Sequence, residues 1–265
     1  MRKYFWWTFC AFMIIASVTF ISWRPVNTSK PNVIKVENTA KASAKEMFGQ
    51  YVADIYNTAQ LQLNGMDAAI FQKAVTGYLN LKMAHKLPEN SNVITVVDFN
   101  KSSREKRMWI IDLVSKKLLL NTWVSHGQGS GNDMANAFSN TANSHQSSLG
   151  FYVTDDVYYG KHGRSLKLDG MDAGFNSSAR ARAIVVHAAD YVCQNTINQL
   201  GRLGRSHGCP AVSPEVSEMV INTIKGKTML FITGNDARYA SKYLDETHAE
   251  RFLYPDSNQA VMAKL

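Results

Sequence analysis

Apolar positions recur at intervals of three and four along residues 41–86, which is the pattern of amphipathic helices. In the first half of this stretch they are Phe48, Val52, Ile55, Tyr56 and Ala59, and in the second half they are Ile70, Phe71, Ala74, Val75, Tyr78 and Leu79. Asn64 and Gly65 interrupt the pattern between the two halves, as a helix stop does. The sequence therefore predicts two helices, which residues 87–90 close.

Short apolar runs bounded by polar turns replace that spacing from residue 91 onward, and such runs are typical of β-strands. Strands are predicted at residues 93–99, 108–113, 117–124, 151–154, 183–186 and 228–233. A later helix is predicted because Ser213 supplies an N-cap, Pro214 suits the first helical position and Gly226 supplies a stop. A shorter helix is predicted at residues 190–200. The predicted fold is mainly β, with a small helical segment before it, and α+β overall.

The N-terminus has a different pattern, because residues 4–23 carry no charge and follow Arg2 and Lys3. A positive start and an uncharged run are typical of an export signal, and this run is also long enough to span a bilayer. No clear small-x-small cleavage site follows, so residues 1–23 are either a signal peptide or an uncleaved signal anchor. The charges before the run favour a cytoplasmic N-terminus. The sequence therefore predicts an exported protein of the periplasm or cell envelope, with inner-membrane anchoring as an open alternative.

These patterns divide the chain into five parts. They are the signal peptide or anchor (1–23), a polar tether (24–40), the helical segment (41–90), a β-rich domain (91–235) and a polar C-terminal tail expected at the periphery (236–265). The composition is 45% apolar and the net charge is +8. That charge suits a polyanionic neighbour such as a membrane surface or a wall polymer. No nucleic-acid partner is predicted, because the chain has no zinc-finger spacing, RNA-recognition signature or arginine-rich tract.

The densest group of reactive side chains lies within residues 185–212. His187 closes an apolar strand, and Cys209 lies in a glycine-flanked turn just before the predicted 214 helix. A cysteine nucleophile must lose its proton, and a histidine within hydrogen-bond reach accepts it. Gly208 permits a tight turn, whose consecutive N–H groups suit an oxyanion. The pattern therefore indicates nucleophilic catalysis by Cys209.

Two structural interpretations of Cys209 stay open at this stage. A lone cysteine is often a small buried apolar residue. The second interpretation is a zinc site formed by His187, Cys193, His207 and Cys209, but zinc ligands usually come in close pairs such as Cys-x2-Cys, and these residues do not. Neither a metal nor a cofactor is predicted. A disulfide between Cys193 and Cys209 is open on count alone, although Cys193 is expected to pack on the short helix at 190–200.

The sequence Ser206-His207-Gly208-Cys209, with the strand-end His187 upstream, resembles the active-site signature of L,D-transpeptidases of the YkuD type. Further stretches resemble the murein L,D-transpeptidase catalytic domain family. They are residues 126–132, 138–140, 147–153 and 158–163. The four-residue signature alone is moderately specific, and its combination with the upstream histidine and the strand entry at 147–153 is strong.

This resemblance covers about residues 93–233 and implies a β-sandwich or barrel with a small helix beside the site. It implies that Cys209 is the nucleophile, that His187 is the general base, and that Ser206, His207 and Gly208 shape a turn whose N–H groups lie near the oxyanion. Family members release D-alanine from a peptidoglycan stem tetrapeptide. They pass the acyl group to an amine, which is transpeptidation, or to water, which is carboxypeptidase trimming.

The chain departs from the family pattern just after the cysteine. Many members have arginine or asparagine there, whereas Pro210 follows here, so a group that helps to hold the substrate is missing. Arg205, or Arg202, is the predicted replacement, through a bidentate contact with a stem-peptide carboxylate. Tyr159 and His162 are also predicted to bind substrate.

Two other functions stay open. A papain-like peptidase also uses cysteine and histidine, but there the cysteine usually comes first in the chain, whereas His187 precedes Cys209 here. A non-catalytic wall-binding module would explain the missing residue after the cysteine. An unreactive Cys209 thiol would favour the binding module over both enzymes.

Overall fold

The computed structural model describes residues 43–254. The predicted signal or anchor (1–23) and the predicted tether (24–40) therefore lie outside the described residues, as does the end of the predicted tail (255–265). Between residues 43 and 254, the longest apolar helices fall short of what a membrane crossing requires.

The described part of the chain contains five helices and eight strands. In chain order they are α1 (Ala44–Thr58), α2 (Ala68–Met83), β1 (Val93–Asp98), β2 (Met108–Asp112), β3 (Lys117–Thr122), β4 (Gly150–Gly160), β5 (Gly163–Gly170), β6 (Val185–Ala188), α3 (Gln194–Leu200), β7 (Ala211–Val212), α4 (Pro214–Ile224), β8 (Met229–Thr233) and α5 (Glu246–Leu253). Short 3-10 helices lie at Gln62–Asn64, Gln128–Ser130 and Lys242–Leu244.

All eight strands form one sheet in the order β3-β2-β1-β8-β4-β5-β6-β7. Neighbours are antiparallel except for the parallel pairs β1–β8 and β6–β7. Beyond β3 the chain reaches the other edge of the sheet, where the Ser125 N–H donates to the carbonyl oxygen of Ala211 in β7 at 2.8 Å. The sheet therefore nearly closes into a barrel, and the predicted mainly β fold is confirmed.

Two hydrophobic clusters cover the two faces of the central strands. Val96 in β1 and Phe231 in β8 pack with α1, α2 and α5, whereas their neighbours Val97 and Leu230 pack with α4. Alternate residues of a strand point to opposite faces. Because both faces are covered, these strands are continuously apolar in sequence.

Polar caps explain where the helices begin. The Ser43 side chain accepts from the Glu46 N–H and the Glu46 carboxylate accepts from the Ser43 N–H, which is a capping box for α1. Asp67 caps α2 in a similar way. The predicted cap at Ser213 is confirmed, with Pro214 as the first residue of α4. The two helices predicted within residues 41–86 are likewise confirmed as α1 and α2.

The segment after residue 236 is not wholly peripheral, contrary to expectation. Tyr243 and Ala249 are buried in the cluster that covers α1 and α2. The Asn80 amide in α2 donates to the carbonyl oxygens of Tyr243 and Asp245, both at 2.8 Å. These contacts depend on packing over a long sequence separation, which a polar local sequence does not reveal.

The short helix predicted at residues 190–200 is only partly correct. It begins at Gln194, and Cys193 occupies the position before it, with a half-exposed side chain. Cys193 is therefore not a helical packing residue. The thiols of Cys193 and Cys209 are both free, so the disulfide between them is excluded.

Candidate active site

The half-buried Cys209 thiol lies beside the start of β6. Its Sγ is 3.5 Å from the backbone nitrogen of Val185 and 3.7 Å from the carbonyl oxygen of Ala183. Burial raises the pKa of the Cys209 thiol, and the Val185 N–H and the positive charge of Arg182 oppose that shift. The net effect favours the protonated thiol in the resting protein.

The turn that presents Cys209 is held by Ser206 and requires a glycine at 208. The Ser206 hydroxyl donates to the Cys209 carbonyl oxygen at 2.7 Å and accepts from the Gly208 N–H at 3.0 Å. Gly208 has a φ of 120°, and a side chain there would lie 2.7 Å from the carbonyl oxygen of Gln146. The backbone N–H groups of His207 and Cys209 donate to no other described residue.

A second loop packs backbone to backbone against this turn. A Cβ at Gly127 would lie 2.9 Å from both the Cα of Gly208 and the nitrogen of Ser147. The Gly127 N–H donates to the Ser147 hydroxyl at 3.0 Å, and the Ser206 N–H donates to the carbonyl oxygen of His126 at 3.0 Å. Residues near 127 and 147 therefore fix the position of the cysteine turn.

His187 lies within β6 and is only 2% exposed. Its Nδ1–H donates to the carbonyl oxygen of Ala188 at 2.7 Å, because a carbonyl can only accept. This tautomer leaves Nε2 unprotonated in the neutral ring. Burial lowers the pKa of His187, and the neighbouring His162 lowers it further. His162 stacks on His187 with ring centroids 4.3 Å apart, so the predicted substrate residue covers the predicted base.

His187 lies in β6, and Cys209 lies just before the neighbouring strand β7. The two side chains are not hydrogen-bonded to each other within the described structure. Ala211 is the register partner of His187, and Cys209 precedes Ala211 by two residues. Cys209 is therefore level with Val185, roughly 6–7 Å along the strand from His187. Catalytic hydrogen bonds are often long before substrate binds.

The remaining predicted residues lie in different surroundings. His207 is exposed, and its ring stacks on His145 with centroids 4.3 Å apart. The Arg205 guanidinium donates to the carbonyl oxygen of Gly131 at 2.7 Å and to Asn132 Oδ1 at 3.1 Å. Tyr159 is 80% exposed near the tip of the β4–β5 hairpin. Of the three predicted substrate residues, His162 is the one that contacts a predicted catalytic side chain.

Arg182 is a residue of the site that sequence reasoning missed. Its guanidinium donates to the carbonyl oxygens of Ser139 and Gln146, at 2.7 and 2.6 Å, and to the hydroxyls of Ser144 and Ser148. It ties the segment before β6 to the loop before β4, and its charge acts on the Cys209 thiol. No local motif links Arg182 to that loop, so the sequence carries no signal for it.

A pocket of about 230 Å³ lies beside the start of β6. Ala183 and Val185, the two residues that contact Cys209 Sγ, form one wall, and Tyr158 and Lys167 contribute to the rest of the lining. Across residues 43–254, no three or more His, Cys, Asp or Glu side chains are grouped so as to hold a metal ion. The chemistry that this arrangement offers is attack by a thiol on a substrate that enters the pocket.

Comparison with known proteins connects this site to a family. A sequence model of the L,D-transpeptidase catalytic domain matches residues 62–233. The match begins inside the predicted helical segment and includes α2. Comparison with curated proteins gives no significant match.

Solved structures with a similar fold include three examples. An L,D-transpeptidase from Mycobacterium smegmatis is 12% identical, with a TM-score of 0.34 over 54% of this chain and 59% of that chain. An L,D-transpeptidase from Stackebrandtia nassauensis is 11% identical, with a TM-score of 0.35 over 71% and 78%. A helical cell shape determining protein from Campylobacter jejuni is 11% identical, with a TM-score of 0.37 over 69% and 63%. The chain thus spans less than two thirds of the first and third of these proteins.

Proposed function

Because this chain belongs to the L,D-transpeptidase catalytic domain family, we propose that it is an exported cysteine enzyme that modifies peptidoglycan stem peptides. Cys209 is the proposed nucleophile and His187 the proposed general base. The observation that carries the proposal is the position of the Cys209 thiol, which lies in a glycine turn and contacts Val185 of the strand that holds His187. The wall polymer that such an enzyme meets lies in the cell envelope or periplasm.

In the first half-reaction, Sγ of Cys209 attacks the carbonyl carbon of the third stem residue. Nε2 of His187 takes the thiol proton as the S–C bond forms, and the Ala188 carbonyl stabilises the imidazolium through Nδ1–H. The N–H groups of His207 and Cys209 are available to the oxyanion. When the C–N bond breaks, His187 returns the proton to the amine of the leaving D-alanine, and a thioester remains at Cys209.

In the second half-reaction, an acceptor amine attacks the thioester. His187 removes a proton from the amine and returns it to the thiolate, so the cysteine is regenerated and a new amide forms. Transfer to an amine is the proposed outcome, and transfer to water would trim the stem instead. Both outcomes share the same thioester.

The test is incubation of the full-length protein with purified disaccharide-tetrapeptide, beside Cys209→Ala and the matched control Cys193→Ala. We expect D-alanine release, cross-linked dimers and a protein-bound acyl group in the wild type and in Cys193→Ala, and none of these in Cys209→Ala. Mass spectrometry measures all three. Release without dimers would indicate trimming. No reaction from folded protein, together with an unreactive Cys209, would favour a wall-binding module.

A further inference from the structure

Two cationic side chains, Arg180 and Lys167, line the pocket that Ala183 and Val185 border, and their surroundings differ. Arg180 forms ion pairs with Asp155 and Asp169, and its charge is therefore balanced within the fold. Lys167 has no carboxylate partner among the described residues. Its Nζ lies 5.6 Å from the centre of the Tyr158 ring, which is a cation–π distance.

Strand register places Lys167 on the same face as the proposed base, His187. Lys167 in β5 pairs with Val185 in β6, and Ser165 pairs with His187. Paired side chains project from one face of the sheet, with Cβ atoms roughly 4.5–5.5 Å apart. Val185 is also the residue whose N–H faces Cys209 Sγ. Val185 of β6 therefore lies between the four-carbon stem of Lys167 and the thiol, and the ammonium group can extend along the face that they share.

The other cationic side chains near the cysteine turn already donate hydrogen bonds to oxygen atoms of the protein. Arg182 uses its donors on the loop that contains Ser139 and Gln146. Arg205 uses Nη1 on Gly131 and Asn132. Lys167 is therefore the cation at this pocket that is free to meet an anionic group of a ligand.

We propose that Lys167 binds the terminal carboxylate of the residue that leaves during acylation of Cys209. This inference rests on the proposed function. In a donor that ends one residue after the scissile bond, the terminal carboxyl carbon is two bonds from the scissile nitrogen, which is roughly 2.5 Å away. The carboxylate therefore arrives beside the reacting carbonyl, and the small pocket suits one short residue. A donor that is longer by one residue would place an uncharged amide there.

The ion pair makes Lys167 a specificity-determining residue. It recognises the chain end of the donor, and it does not take part in bond formation. A charge-assisted contact formed in a partly buried pocket is stronger than the same contact with a neutral amide. The enzyme should therefore prefer a free carboxylate over a carboxamide at the donor terminus.

The experiment compares two donors, the disaccharide-tetrapeptide and its C-terminal carboxamide. Each is incubated with the full-length wild type, Lys167→Met and Lys167→Arg. The control variant is Lys117→Met, because Lys117 is exposed on β3. Release of D-alanine or D-alaninamide and acylation of the protein are measured by mass spectrometry. We expect kcat/KM of the wild type and of Lys117→Met to favour the free carboxylate by about 10-fold or more. Lys167→Met should reduce that preference to about 2-fold or less, chiefly through KM, and Lys167→Arg should keep most of it.

The carboxamide donor is the internal control for folding, because Lys167→Met should lose much less of its rate on that donor than on the free carboxylate. A wild-type enzyme without the preference, or a Lys167→Met enzyme that retains it, would overturn the inference while acylation of Cys209 still supports the proposed function. If neither donor acylates Cys209 in the wild type, the proposed function fails and this inference fails with it.

Discussion

Burial shifts the two proposed catalytic groups in opposite directions. It raises the pKa of the Cys209 thiol and lowers the pKa of the His187 imidazole. Each shift favours the uncharged form of its group. The resting pair is therefore a thiol and a neutral imidazole, and the proton moves when the substrate carbonyl is attacked. Papain-type sites with a preformed thiolate–imidazolium pair work in the opposite way.

This neutral pair predicts the pH dependence of thiol alkylation. In a protein with Cys10→Ser and Cys193→Ser, Cys209 is the one remaining thiol. We expect its iodoacetamide rate to rise with pH through a midpoint above the ordinary cysteine value of about 8.5, because the thiolate reacts and burial disfavours it. The same protein unfolded in urea should titrate near the ordinary value. A rate that is already on its plateau at about pH 6 would indicate a preformed ion pair instead.

Local motifs were sufficient to predict the turn at Cys209 but not its supports. The pattern around Gly208 predicts a tight turn, and its positive φ agrees with that prediction. The roles of Cys209 and His187 stay predictions until they are tested. The Ala188 carbonyl that orients His187, and the contacts of Arg182, depend on side-chain directions and on a loop about 40 residues away in sequence. Such contacts produce no periodic pattern in the amino-acid sequence.

At the scale of single elements, most strands follow from their apolar runs, whereas β5 and the two-residue β7 do not. β1, β2, β3 and β8 lie where the sequence predicts them, within one or two residues. β5 was not predicted, because it carries Arg164, Lys167 and Asp169 and is bounded by glycines. Its apolar residues Leu166 and Leu168 face the core, and Lys167 lines the pocket beside β6. A strand that carries several charged residues thus has a weak hydrophobic signal.

Helix α2 packs tightly against Phe151 of β4 at Gly77. A methyl group at this position would overlap the Phe151 ring, which is itself stacked on Phe231 at 4.4 Å. We expect Gly77→Ala to lower the free energy of unfolding by about 1–3 kcal/mol, because overpacking outweighs the better helix propensity of alanine. Urea unfolding followed by circular dichroism measures the change.

The matched control is Gly49→Ala in α1, where a methyl group would contact nothing within 4 Å. It should leave stability unchanged or raise it by up to about 1 kcal/mol, since only helix propensity changes. Equal effects of the two substitutions would show that the Phe151 contact is not tight.

At the scale of the whole molecule, the barrel is closed by a buried arginine. Arg107 precedes β2 and is fully buried. Its guanidinium donates to the carbonyl oxygens of Val124 and Lys101, at 3.0 and 2.8 Å, and to Nδ1 of His126 at 2.8 Å. Burial lowers the pKa of Arg107 to about 10, which still leaves it charged at neutral pH. The segment it holds runs on to Ser125, which completes the barrel against β7.

Removal of this guanidinium should therefore destabilise the whole fold. We expect Arg107→Met to lower the free energy of unfolding by about 3 kcal/mol or more, because several buried acceptors lose their donor. The control is Arg104→Met, whose side chain is 59% exposed and pairs with Asp133 at 3.4 Å. That change should cost less than about 1 kcal/mol. Similar shifts of the urea midpoint in both variants would contradict the closing role of Arg107.

The order of the strands could not be predicted from local patterns. β1 pairs with β8, more than 130 residues later in the chain, and the predicted helical segment shares a core with both strands. Apolar runs reveal that a strand is buried, but they do not reveal its partner. The predicted division at residue 90 therefore marks a change of secondary structure, and the packing continues across it.

The close approach of Gly127 and Gly208 restricts how this protein can evolve. Both contacts are backbone on backbone, so no repacking of side chains makes room for a larger residue at either position. A larger residue in one loop would require the other loop to shift at the same time. A single substitution at either glycine is therefore not tolerated. The exposed tip near Tyr159 carries no such constraint. New substrate preferences are therefore more accessible by change at the hairpin tip than by change around the cysteine.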